Sequence, residues 1–171
     1  MHDLFGSPAD GAGLRRAFAN FPSGVVAVCA ELDGTSYGLA VSTFVPVSLD
    51  PPLVSFCVQN SSATWPKLAA ASHLGLSLLG TDQQAAARSL GTRDGDRFRD
   101  VDLYRGSGDA VFIEGASAWI EGVPEATVPA GDHAVVILRV HRIATRADAD
   151  PLVFHGSRFR RLHTETANGV A

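Results

Sequence analysis

The sequence predicts a mainly-β domain in which antiparallel strands close into a barrel, with a few short helices flanking them. Three observations predict it. About seven apolar runs, rich in valine, are set apart by turn residues. Asp33-Gly34, between two of these runs, is a strong hairpin signal. Helical patterns are short and fall only among the first and middle runs, which argues against a regular βαβ sheet. Closing the strands into a barrel removes exposed edges. The 171 residues amount to about one domain at ~150 residues per domain, and 46% hydrophobic residues supply a substantial core.

Taken in order, Asp10 caps a helix carrying Leu14, Ala17, Phe18 and Phe21 at helical spacing, and Pro22 stops it. A strand over Gly24 to Leu32 turns at Asp33-Gly34 into a partner strand over Tyr37 to Val45. A third strand, Pro52 to Gln59, follows the stiff Asp50-Pro51-Pro52. Ser61 to Ala71 reads as a helix with Pro66 near its first turn. His73 to Leu79 is a strand. Thr81 to Leu90 is a helix capped by Thr81 or Asp82 and closed by Gly91. Arg88 to Arg105, with five Arg and four Asp, reads as a solvated loop with one helical turn. Strands over Ala116 to Val128, Ala134 to Ile143 and Leu152 to Phe154 complete the set. The expected organisation is an N-terminal extension at 1–12, the folded domain at 13–162 and a disordered polar tail at 163–171.

A formal charge of −4, with Lys67 the single lysine, speaks against a nucleic-acid partner. No run approaches the ~18 apolar residues of a membrane span, and the first residues do not resemble a signal peptide. Cys29 and Cys57 lie in apolar runs and read as buried free thiols of a cytoplasmic protein.

Several chemical signatures fail. No phosphate loop surrounds Lys67. Gly106-Ser107-Gly108 begins like a dinucleotide fingerprint but has Val111 at the last position and follows a charged loop. Gly34-Thr35-Ser36-Tyr37-Gly38 matches a serine-esterase pattern but spans a hairpin, where a nucleophile elbow needs a strand and a helix. His133 and His141 stand about 26 Å apart on one strand at ~3.3 Å per residue, so one metal cannot join them and no metal site is expected.

Two polar stretches remain. Gly38-Leu39-Ala40-Val41-Ser42-Thr43-Phe44 is a strand of small and hydroxyl residues that a flat, oxygen-rich or anionic ligand can approach. Gln59-Asn60-Ser61-Ser62-Ala63-Thr64 opens a helix, a natural place for a phosphate. Taken alone, both stretches read more simply as ordinary strand residues and a helix cap.

These residues resemble the flavin reductase family, the short-chain NAD(P)H:flavin oxidoreductases that serve two-component flavin-dependent monooxygenases. The resemblance rests on Phe21-Pro22-Ser23-Gly24-Val25, the Gly38 to Phe44 strand, Val47 to Val54, the Ser61 to Thr64 cluster, Gly131-Asp132-His133 and Pro151-Leu152-Val153-Phe154, in order across residues 14–162. It implies the FMN-binding split β-barrel, antiparallel and Greek-key-like, assembled as a homodimer. It also implies that Ala40, Val41, Ser42 and Thr43 line FMN or FAD, that Val45, Pro46 and Val47 continue along the isoalloxazine, and that Asn60, Ser61, Ser62 and Thr64 meet the ribityl chain and phosphate. Phe154 and Phe159 would border the pocket. His133 would sit at the flavin–nicotinamide site, where NADH or NADPH stacks and gives up its hydride. The charged loop could hold the nicotinamide phosphates, while His73, His141, Trp65 and Trp119 read as structural. Ala40 and Pro46 depart from the family pattern and remove hydrogen-bonding groups there. Two other uses of such a fold stay open: a non-catalytic flavin- or haem-binding module, and a flavoenzyme that retains its flavin and acts on another substrate.

Overall fold

The computed structural model describes residues 7, 10–92 and 95–163. The expected tail is therefore described only at His163. Most of the N-terminal extension, together with Arg93 and Asp94 of the charged loop, also lies outside the described residues.

Helix α1 (Gly11–Phe18) is capped as expected, with Asp10 accepting from the Ala12 N–H at 3.0 Å. The valine-rich run then supplies two strands. β1 (Ser23–Gly24) pairs with β11 (Val153–His155), while β2 (Val26–Leu32) enters the main sheet. β3 (Thr35–Val41) returns from the Asp33-Gly34 hairpin and ends four residues earlier than the sequence predicts. Ser42 to Phe44 bend away, and β4 (Val45–Leu49) and β5 (Pro52–Gln59) follow.

The helix expected over Ser61 to Ala71 is a single turn, α2 (Trp65–Leu68). β6 (Leu74–Leu78) comes next. α3 (Gln84–Gly91) starts later than expected; its N-cap is Gln83, and neither Thr81 nor Asp82 caps it. β7 (Leu103–Arg105) and β8 (Val111–Ile113) form a hairpin where the sequence predicts loop. β9 (Ala118–Ala130) and β10 (His133–Thr145) make a long ribbon, and β11 pairs with β12 (Arg158–Arg160).

The main sheet runs β3-β2-β6-β9-β10-β5-β4, with every pair antiparallel. Its ladder does not close, which corrects the closed barrel; the architecture is the split one. The sheet curls until the end of β3 meets β5. There Thr43 Oγ1 accepts from the Cys57 N–H at 2.8 Å and faces the Cys57 carbonyl at 3.4 Å. One hydroxyl bridges the seam.

Two apolar clusters hold the fold. Inside the curl, Val28, Phe56, Leu74, Leu76, Val136 and Leu138 pack together. On the opposite face of β2, Ala27 and Cys29, with Val25 just before the strand, pack against Ala87 and Leu90 of α3 and Val111 and Ile113 of β8. A strand covered on both faces has no polar side, which is why this run reads as continuous apolar residues. Burial pushes the Cys29 thiol up to about 12.

Candidate functional site

At the seam lies a cleft of about 590 Å³. Its walls are the end of β3 with the Ser42-Thr43 bend, the end of β5, the loop before α2, the end of α3, Arg97 and His133. The sheet supplies one wall because β3 stops at Val41, which leaves Ser42 and Thr43 exposed where a longer strand would have paired them.

Among the described residues, Arg97 is the one arginine in the walls, and neither lysine nor carboxylate accompanies it there. It arrives through close packing at Gly38. A Cβ at Gly38 would stand 2.7 Å from the Phe98 ring and 2.8 Å from Leu90, so only glycine lets the loop and α3 settle on β3. With Phe98 seated, Arg97 donates to the Gly38 carbonyl and to Thr64 Oγ1, each at 2.8 Å. Both acceptors are neutral, so the guanidinium keeps its full charge and further donors.

His133 is set by the β9–β10 turn. Asn60 donates from its side chain to the Gly131 carbonyl at 3.1 Å and from its N–H to the Asp132 carbonyl at 3.0 Å, pinning that turn to the end of β5. His133 Nδ1 lies 2.7 Å from Asp132 Oδ1. The hydrogen bond from His133, with its charge, holds the Asp132 carboxyl below the usual carboxylate range. An ionised carboxylate only accepts, so Nδ1 carries the proton and Nε2 is left to other partners.

Of the residues anticipated from the sequence, Ala40, Val41, Ser42, Thr43, Ser61, Ser62, Thr64 and His133 all line the cleft. Three of their hydroxyls already have work: Thr43 at the seam, Thr64 beneath Arg97, and Ser62 accepting from the Trp65 N–H at 3.1 Å. Ser42 and Ser61 make no hydrogen bond with any described residue. The other anticipated residues stand outside the cleft walls. Val45, Pro46 and Val47 are exposed on β4, Asn60 holds the turn, and Phe154 and Phe159 meet edge to face, ring centroids 5.6 Å apart, against the second apolar cluster. Leu39, Gln59 and Ala63 of the two polar stretches, with Cys57, Val58, Leu90, Gly91, Thr92 and Arg97, complete the walls; Arg97 was anticipated only as part of the charged loop, not singled out. For Arg97 the available signal is the aromatic Phe98 beside it in an otherwise charged stretch.

The arrangement suits an anionic ligand with a flat, polar-edged body. The family model described as flavin reductase like domain matches residues 18–163. An FMN reductase (NADH) of Agrobacterium fabrum is 36% identical over 149 residues, covering 87% of this chain and 84% of that protein. A solved NADH:FAD oxidoreductase of Streptomyces globisporus, in complex with NAD and FAD fragments, superposes with a TM-score of 0.90. It is 31% identical, and the match covers 96% of this chain and 99% of that one. The styrene monooxygenase flavin reductase of Pseudomonas putida S12 superposes with a TM-score of 0.80 at 31% identity, covering 88% and 97% of the two chains.

Proposed function

The chain belongs to the flavin reductase family, and from that premise we propose that it is an NAD(P)H-dependent oxidoreductase that passes hydride to FMN or FAD and supplies the reduced flavin to a partner monooxygenase. The observation that carries the reading is the cleft at the seam, whose walls, among the described residues, combine small residues and free hydroxyls with one arginine and no carboxylate. The catalytic unit is residues 13–162.

The residues present fit a flavin. Ala40 and Val41 offer small side chains and backbone against a flat ring, and Ser42 offers a free hydroxyl at its edge. Arg97, Ser61 and Ser62 are the donors for a phosphate, with Arg97 supplying the charge. When bound, the flavin accepts the hydride and the nicotinamide provides it, so the protein contributes proximity and polarity. His133, in the cleft wall with Nδ1 on Asp132, leaves Nε2 to act as an acceptor when neutral and as a proton donor when charged. Asn60 acts through His133 as a positioning residue. Val45, Pro46, Val47, Phe154 and Phe159 belong to packing and assembly. The chain works as a homodimer in the cytoplasm, where its nicotinamide donors are regenerated; among the described residues no helix is long and apolar enough to cross a membrane.

Absorbance at the reduced-nicotinamide band, followed with NADH or NADPH and with FMN, FAD or riboflavin, tests this. Turnover that requires added flavin and saturates with it is the expected result and names the donor and acceptor. A yellow chromophore surviving gel filtration would instead mark an enzyme that retains its flavin. Absence of turnover with every pair would leave a binding module.

A further inference from the structure

A second cavity of about 410 Å³ lies between the β7–β8 hairpin and the base of the β9–β10 ribbon, and it shares no residue with the cleft. Its walls are aromatic. Tyr104 and Phe112 have ring centroids 6.3 Å apart at a tilt of 31°, and Trp119 adds an indole whose N–H is already given to the Ile113 carbonyl at 2.9 Å. Into this apolar space comes Glu121, only 3% exposed. Its Oε2 accepts from the Ser107 N–H at 3.0 Å and stands 3.7 Å from the Arg142 guanidinium, beyond hydrogen-bond reach. Its Oε1 has no donor among the described residues. Among the described residues every fully enclosed polar side-chain atom is partnered, so Oε1 keeps some exposure, and the cavity is the open space that Glu121 lines.

A carboxylate buried among aromatic rings and satisfied on one oxygen is costly unless something brings the missing donor. With Glu114 also in the wall, two acidic residues and one arginine line the cavity. That balance favours an N–H or ammonium group over an anion. The volume falls within the ~300–1,000 Å³ of small-molecule sites.

We propose that this cavity is a second binding site, separate from the flavin cleft, for a one- or two-ring aromatic compound bearing an N–H or amine donor. The ring packs against Tyr104, Phe112 and Trp119, and the donor bonds Glu121 Oε1.

Calorimetric titration with tryptamine and indole, and with phenylacetate as the anionic control, tests it on the free and the FMN-saturated protein. The expected result is saturable binding near one per chain, unchanged by FMN, with tryptamine about tenfold tighter than phenylacetate. Ala144→Phe fills the cavity from an exposed strand position; Glu121→Gln removes the charge. Each should weaken tryptamine binding about tenfold or more. Ala144→Phe should leave flavin-dependent NADH oxidation intact, which shows that the variant is folded. Three results overturn the proposal: no probe binding at millimolar concentration, binding unaltered in Ala144→Phe, or displacement by FMN. Phenylacetate binding as well as tryptamine overturns it equally, because the carboxylate would then not be the recognising group.

Discussion

Arg97 stands among five arginines and four aspartates in one stretch, a balance that reads as a solvated loop. Its place in the cleft depends on uncharged neighbours: a glycine that admits Phe98, and two neutral oxygens that orient the guanidinium. Charge counting cannot register any of these, because they are contacts between segments far apart in sequence. The small and hydroxyl residues of the Ser42-Thr43 bend and Ser61-Ser62 were legible, since their types alone suit a polar, flat ligand. What each hydroxyl does was not, because that depends on a seam and a turn that exist only in the fold. A charge-assisted hydrogen bond is worth roughly 1.5–3 kcal/mol. Arg97→Gln should therefore raise the KM for FMN about tenfold to a hundredfold, while leaving riboflavin, which lacks the phosphate, nearly unchanged. Measuring both KM values decides the matter. An equal loss for the two flavins would mean that Arg97 serves only to brace Gly38 and Thr64.

Among the elements, the β7–β8 hairpin rests on the sheet through acidic contacts. Glu31 of β2 pairs with Arg105 of β7, with nitrogen to oxygen at 2.6 Å, and Asp109 in the hairpin turn accepts from the Ser72 N–H at 2.6 Å and its hydroxyl at 2.7 Å. The Arg105 hydrogen bond holds the Glu31 carboxyl below its ordinary range, and the Ser72 N–H does the same for Asp109. A depressed carboxyl contributes stability above its unfolded pKa, about 4, and loses it as pH falls through the lower folded value. Thermal unfolding followed from pH 7 downward should thus show Tm dropping below about pH 4. Glu31→Gln should flatten the drop, and an unaltered slope would exclude the pair as a cause. The hairpin escaped sequence reading because its strands are three residues long and one sits among charges; β2, covered on both faces, announced itself. α2 was overextended because hydroxyl residues before an alanine-rich stretch suggest a capped helix, yet only one turn forms. Gly38 joins three elements at once. Gly38→Ala forces a Cβ against Phe98, Leu90 and Cys29, an overpacking that costs typically 1–3 kcal/mol. Denaturant unfolding should show that loss together with a raised KM for FMN. A loss of stability at constant KM would separate the packing from the placement of Arg97.

At the scale of the whole molecule, apolar surface remains uncovered in the single chain. α1 buries none of its residues, Phe18 and Phe21 are 65% and 74% exposed, and Leu49 on the edge strand β4 is 97% exposed with Val45 and Val47 beside it. Contiguous exposed apolar residues mark association surfaces. β4 also presents an unpaired strand edge, which natural sheets cover, shorten or charge. Pro46 and the irregular register between Pro46 and Ser48 blunt this edge, but its exposed valines and leucine carry no charge and leave an apolar face that another chain can cover. A second copy would supply that cover with the same surface on both sides, the usual arrangement of two-fold dimers. The seam and its cleft lie where β3 and β5 meet, next to β4, so association at β4 would steady the wall that holds Ser42 and Thr43. Sedimentation equilibrium should return about twice the 17.9 kDa chain mass. Leu49→Asp, changing a side chain that touches nothing needed for folding in the single chain, should shift the mass toward the monomer and weaken FMN binding together. A monomer in the unaltered protein would refute the assembly. A Leu49→Asp monomer with undiminished FMN affinity would show that each cleft is complete within one chain.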